Sequence, residues 1–253
     1  HSQAGKALYL GAKSALAHNQ DETAIRLFGA LQRTYPSHPR APEAQLSLAQ
    51  YFLETGQTET ARNQLQTIVD NPSSPMQAAR ALYLFGQSER DRGNLDAALR
   101  YFQRVKSEYA ESNVAPAAFY AGAATQVRLE RYDAAAAAFE DLGSQFPNSP
   151  YAQNLGTALA EVYYRLDQFE QAATELRDRL PQLENEKRAR ALFLLAESYN
   201  QLRNGEEAVV HYRRVIDEHP NTPYVGPARY GLAWHYFQIE DHQRAADRFA
   251  EVR

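Results

Sequence analysis

Hydrophobic and small residues return along this chain at a long, nearly constant interval. Alanine stands at Ala24, Ala61, Ala98, Ala135, Ala172, Ala208 and Ala245, with successive spacings of 37, 37, 37, 37, 36 and 37. Four residues after each comes a large apolar side chain: Phe28, Leu65, Phe102, Phe139, Leu176, Tyr212 and Phe249. Three further on lie Leu31, Ile68, Val105, Leu142, Val215 and Val252, with Arg179 as the exception in the fifth copy. Spacings of four and three place these residues on one face of a helix. A second column of small residues keeps the same interval upstream, at Ala12, Ala49, Gly86, Ala123, Ala160, Ala196 and Ala233. Around it apolar residues recur at helical spacing, as at Leu82 and Phe85 or Leu192, Leu195 and Tyr199. Each repeat therefore reads as helix, turn, helix.

Turn chemistry supports this division. Gly56, Gly93 and Asn204-Gly205 fall inside the hairpins, and Asp167 and Asp241 offer carboxylates to cap the second helix. Ser74-Pro75, Ser149-Pro150 and Thr222-Pro223 place a capping hydroxyl before a proline at an expected first helical position. Pro36, Pro147 and Pro220 are expected to stop the preceding helices. Small residues on both faces let two backbones approach, while the large residue one turn later fills the groove between neighbours. One such hairpin cannot bury its own apolar face, so stability is shared by stacking. The expected architecture is an all-α solenoid in one array, with hairpins near residues 5–41, 42–78, 79–115, 116–152, 153–188, 189–225 and 226–253.

This pattern resembles the tetratricopeptide repeat family, whose unit has a small residue in its first helix, alanine then an aromatic in its second, and proline near its end. The 37-residue interval, with Phe146-Pro147-Asn148-Ser149-Pro150-Tyr151 and His219-Pro220-Asn221-Thr222-Pro223-Tyr224, is similar to repeats of bacterial cell-envelope proteins such as outer-membrane assembly lipoproteins and Tol–Pal coordinators. The resemblance implies a right-handed solenoid, a protein-binding role and a periplasmic or envelope location, with a cytoplasmic one as the alternative. Departures occur at Gln45 and Gly156, where a large residue is expected, and in the fifth hairpin. That hairpin exits through Leu180-Pro181-Gln182 with one residue deleted, so a local change of pitch is expected there. The last hairpin has no polar capping helix after Phe249, which reads as a fragment of a longer protein.

In the family the first helices line a concave groove, and projecting that face onto this chain selects Tyr9, Tyr83, Tyr120, Phe193 and Tyr230 at the repeat interval, with Leu46 and Thr157 between them. Trp234 and Phe237 extend the column in the last hairpin. Rings exposed along a groove are effective anchors for a partner; the alternative is that they pack between neighbouring first helices. Trp234 is either a groove anchor or part of a surface facing further C-terminal sequence. The same face projects Arg80, Arg90, Arg128, Arg165 and Arg190 against Asp91, Glu161 and Glu197. Arginine forks suit carboxylates, which fits an acidic segment or a chain terminus, although paired, solvated helix charges are the alternative. Relatives that clamp chaperone C-termini use lysine and asparagine in the first helices. Here Tyr9, Lys13, Leu46 and Gln50 occupy the comparable places, so that role is not expected.

Composition narrows the function without adding to it. A formal charge of -4 and a pI near 6.0 provide no basic footprint for nucleic acid. There is no cysteine, so thiolate metal sites and cysteine nucleophiles are excluded. No apolar run reaches the ~18–20 residues of a membrane span. The histidines, His1, His18, His38, His211, His219, His235 and His242, show no zinc-site spacing. No phosphate loop or serine elbow is present, and Glu206-Glu207 and Glu240-Asp241 sit at helix starts, where the helix dipole accounts for them. The expectation is a non-catalytic scaffold without cofactor or metal that binds a protein or peptide. A spacer or self-association element, using the last hairpin, and an accessory region of a larger enzyme or transporter are the alternatives.

Overall fold

The computed structural model describes residues 2–152 and 155–252; His1, Gln153, Asn154 and Arg253, and with them the expected first residue of the fifth hairpin, lie outside the described residues. Fourteen α-helices and no strand are found among the described residues. The chain divides into two compact units, His1–Leu129 and Glu130–Arg253. The N-terminal unit holds α1 (Ser2–Ala17), α2 (Asp21–Thr34), α3 (Ala41–Glu54), α4 (Thr58–Asp70), α5 (Pro75–Asp91), α6 (Leu95–Glu108) and α7 (Ala115–Arg128). The C-terminal unit holds α8 (Tyr132–Gln145), α9 (Leu155–Arg165), α10 (Phe169–Arg179), a short 3-10 turn at Leu180–Gln182, α11 (Asn185–Gln201), α12 (Gly205–Glu218), α13 (Val225–Gln238) and α14 (His242–Ala250). The fold is an all-α helical repeat of the solenoid class.

Both small-residue columns are buried throughout, and so are Phe28, Leu65, Phe102, Phe139, Leu176 and Tyr212; only Phe249 in the last hairpin is half-buried. The close approach they permit is visible at Gly86, where a Cβ would collide with the ring of Phe102. The Phe102 side chain is held between Gly86 of α5, against its ring, and Gly122 of α7, against its Cβ. Each fully buried ring or Leu side chain contributes about 1.5–3 kcal/mol, so the repeated column is the main source of cohesion.

Every hairpin turns through one backbone shape. Asn19, Gly56, Gly93, Glu130, Asp167, Arg203 and Glu240 all have positive φ, between 56° and 83°. Glycine adopts this left-handed region without penalty; the other five residues carry a Cβ there. Three sequence expectations are corrected by this register. Asp167 occupies the left-handed position, and the residue capping α10 is Gln168, which makes no side-chain cap. The α11–α12 turn takes its positive φ at Arg203, while Gly205 opens α12 and leaves room for the ring of His235. Glu240 likewise lies in the turn and not on the helix.

Asp241 and Asn204 do cap their helices, accepting from the Arg244 N–H at 3.2 Å and the Glu207 N–H at 3.4 Å. Ser74 accepts from the Gln77 N–H at 3.2 Å with Pro75 opening α5. Thr222 does not repeat this: its hydroxyl donates to the His219 carbonyl at 3.0 Å, and α13 begins at Val225, beyond Pro223. Ser149 accepts from the Ala152 N–H at 3.1 Å, ahead of α9. Pro36, Pro147 and Pro220 each follow the residue that ends a helix, Tyr35, Phe146 and His219.

Candidate functional site

In the N-terminal unit the projected face consists of α1, α3, α5 and α7. Tyr9 is only 6% exposed. Its ring packs 5.9 Å from Phe28 beneath the guanidinium of Arg40, and its hydroxyl bonds Glu43. Burial, then Glu43, pushes its phenol up to about 12. Tyr9 is thus a core residue and presents no ring to a ligand, because the next first helix covers it. Burial also pushes the Glu43 carboxyl upward, but hydrogen bonds from Tyr9 and Arg40 outweigh that and hold it below the usual carboxylate range.

Tyr83 is half-buried, its ring 6.0 Å from Phe102 and its hydroxyl accepting from Gln87 at 3.1 Å. Tyr120 and Arg80 are half-buried as well. Arg128 is exposed and donates to the main-chain carbonyl of Arg90 at 3.2 Å, which brings it to the C-terminal end of α5. Arg90 has Asp91 at 3.8 Å. The remaining carboxylate of α5, Glu89, is buried and consumed by Arg62 and by the Asn94 amide at 2.7 Å.

In the C-terminal unit, Phe193 is half-buried between Tyr212 at 6.3 Å and Tyr224 at 6.0 Å. Tyr230, Trp234 and Phe237 are 53%, 41% and 48% exposed, and the last two stack 5.6 Å apart on one face of α13. Arg165 is exposed, and Arg190 pairs with Glu161. Burial raises the Glu161 carboxyl above its usual range, opposed by Arg190 and Arg165.

Two features escaped the sequence reading. The Tyr212 phenol bonds Glu197 across the α11–α12 hairpin. A cleft of about 600 Å³ is bordered by the segment from Gln182 to Lys187 with Arg190 and Tyr224, and next to it Arg188 donates to the Leu180 carbonyl at 2.7 Å. The irregular exit at Pro181 was the signal for it. Among the described residues no three His, Cys, Asp or Glu side chains are grouped to hold a metal ion, and no helix is long and apolar enough to cross a membrane.

Residues 1–115 match a family of tetratricopeptide repeat-like domains. The chain resembles tetratricopeptide repeat proteins. Residues 112–232 match a family described as outer membrane lipoprotein, so the chain resembles cell-envelope repeat proteins. A tetratricopeptide protein from Parabacteroides merdae superposes with a TM-score of 0.61 at 14% identity, over 99% of this chain and 92% of that one. MamA from Desulfovibrio magneticus RS-1 gives 0.59 at 22% identity, over 69% and 92%. YrrB, described as having an unusual peptide-binding site, gives 0.59 at 20% identity, over 74% and 89%. At such identities the likeness shows the fold alone. No match was found among curated proteins. The repeat family supports a protein-interaction scaffold with protein partners, and both matched families are typically non-catalytic.

Proposed function

We propose that this protein holds a peptide or a partner domain against the first-helix faces of its hairpins, in a bacterial envelope complex. One observation carries the reading: rings recur at a single register on α5, α7, α11 and α13, at Tyr83, Tyr120, Phe193 and Tyr230, and retain surface, with Trp234 and Phe237 exposed beside the last. Aromatic residues displayed this way are the side chains that dominate interface energies. The first helices of the hairpins also carry Arg80, Arg90, Arg128, Arg165 and Arg190. The similarity of residues 112–232 to an outer membrane lipoprotein family supports the envelope. The unbroken repeat interval supports one array of seven hairpins.

The test places a photo-crosslinking amino acid at Gln87, beside Tyr83, or at Gln103 on the second helix α6, and captures partners from a bacterial envelope extract. Adducts at Gln87 that are lost in a Tyr120→Ala, Trp234→Ala variant are expected. Adducts at Gln103 alone would move binding to the opposite face. A second reading, self-association through α13, is favoured by the exposure of Trp234, Phe237 and Ile239 together; a mass that rises with concentration in light scattering supports it.

A further inference from the structure

The position that follows each small residue of the first-helix column is never buried. It holds Lys13, Gln50, Gln87, Ala124, Glu161 and Glu197 in six hairpins and Trp234 in the seventh. Packing of the repeat therefore does not call for a large ring there, since six copies do without one. Trp234 is 41% exposed and stacks 5.6 Å from Phe237, itself 48% exposed. Just beyond the two rings α13 ends, and the Glu240 N–H donates to the Phe237 carbonyl at 3.1 Å, which fixes this exposed residue beside the pair. Glu240 enters no ion pair among the described residues. Arg244, the nearest arginine in the sequence, is drawn instead to Asp241 at 3.4 Å and lies over the Tyr236 ring at 5.6 Å. Glu197, one hairpin earlier in the column of Trp234, accepts from Tyr212 and has no ion pair either. The His242 ring lies 5.8 Å from Phe237. The last carbonyls of α13 add the negative end of the helix dipole, and the C-terminal unit as a whole holds twenty acidic side chains against fourteen arginines and lysines.

We infer that Trp234, Phe237 and Glu240 form a docking site for an arginine side chain carried by a protein partner. The site lies on the proposed first-helix binding face, rests on that reading and specifies the chemistry of the last hairpin. A guanidinium is planar and weakly hydrated, so it lays its flat face on an aromatic ring while its N–H edge forks a carboxylate. Tryptophan offers the strongest ring for this contact. Three residues of helix advance about 4.5 Å, so Phe237 and Glu240 stand close enough for one long side chain to meet both. A second copy is the poorer occupant: two α13 faces brought together by symmetry would set like charges against each other.

Trp234 is the only tryptophan of the chain, so its emission reports on this site alone. The probes are nine-residue peptides, acetylated and amidated, with one arginine between two leucines in a glycine–serine chain, and the same peptides with neutral citrulline in its place, titrated into the full chain. A saturable change in Trp234 emission is expected with the arginine peptide, and an affinity lower by about fivefold to tenfold with citrulline. Glu240→Gln, checked for folding by circular dichroism, is expected to lose the same factor for the arginine peptide and almost nothing for the citrulline one. Equal affinity for the two peptides would overturn the charge assignment; if Phe237→Ala then weakened both alike, the binding-face reading would stand without it. An emission change that grows with protein concentration, with no response to arginine, would assign the rings to a second copy and overturn the proposal. No response to either peptide would overturn the site, and crosslinks recovered only at Gln103 would take the binding-face reading with it.

Discussion

The hydroxyl of Tyr212 donates to the carboxylate of Glu197, joining α12 to α11 from a ring that has no solvent exposure. Burial, reinforced by Glu197, raises this phenol far above the ordinary tyrosine range, so it remains a donor at every working pH. The same position is Phe28, Phe102 and Phe139 in other hairpins, so Tyr212→Phe keeps the packing and removes only the bond. A hydrogen bond to a charged group is worth about 1.5–3 kcal/mol, and Tyr212→Phe is expected to lower stability by that order in urea denaturation. Tyr212→Ala is expected to cost about 3–5 kcal/mol, since it also opens a cavity.

Glycine substitution at the left-handed turn residues is expected to stabilise. Glu130 and Glu240 hold φ of 57° and 62°, the conformation that Gly56 and Gly93 adopt in their own hairpins. A Cβ there costs roughly 1–2 kcal/mol, partly offset by the greater freedom of glycine when unfolded, which leaves a gain of about 0.5–1 kcal/mol. The reverse change, Gly93→Ala, is expected to lower the melting temperature, as differential scanning calorimetry would register.

The C-terminal unit is expected to lose stability in mild acid. Burial lowers the imidazole of His211 below its usual range, with Arg214 acting in the same direction and Glu207 against it, and burial alone lowers His235. A depressed folded value means that the charged form is disfavoured in the native state. The stability from the neutral rings is therefore complete above the unfolded value of about 6.5 and declines as pH falls from there toward the folded values. Chemical denaturation midpoints between pH 7.5 and 5 should show this slope, and a His211→Gln, His235→Gln variant should flatten it.

Ala98 is fully buried on the face of α6 that meets α5. Ala98→Leu forces extra methyl groups into a packed junction and is expected to cost about 1–3 kcal/mol. An unchanged melt would show that the junction has slack.

The helices were legible because two columns of small residues and one of large ones persist through seven copies, and periodicity needs no knowledge of tertiary contacts. Caps were less legible. Asp167 and Asp241 look alike as isolated aspartates, yet aligning the hairpins sets Asp167 opposite Glu240, one residue before Asp241, and so inside the turn. Thr222-Pro223 copies the letters of Ser74-Pro75, but the chain around His219 makes an additional turn before α13 begins. On the candidate face, Trp234 and Phe237 were expected to be displayed and are exposed, whereas Tyr9 shares the register of Tyr230 and is covered. Register states which way a side chain leaves the helix; what lies over it depends on the neighbouring hairpin.

Because the backbone bends through the left-handed region whether the residue is Gly56, Gly93 or Glu130, the natural unit of change in this protein is a whole repeat and not a helix. Excising residues 57–93 would join Gly56 directly to Asn94, leaving glycine at the bend and α3 facing α6 with matched small residues, Ala49 and Ala98. Its length is thereby quantised: evolution or an engineer can lengthen or shorten it in steps of 37 residues without inventing a new joint.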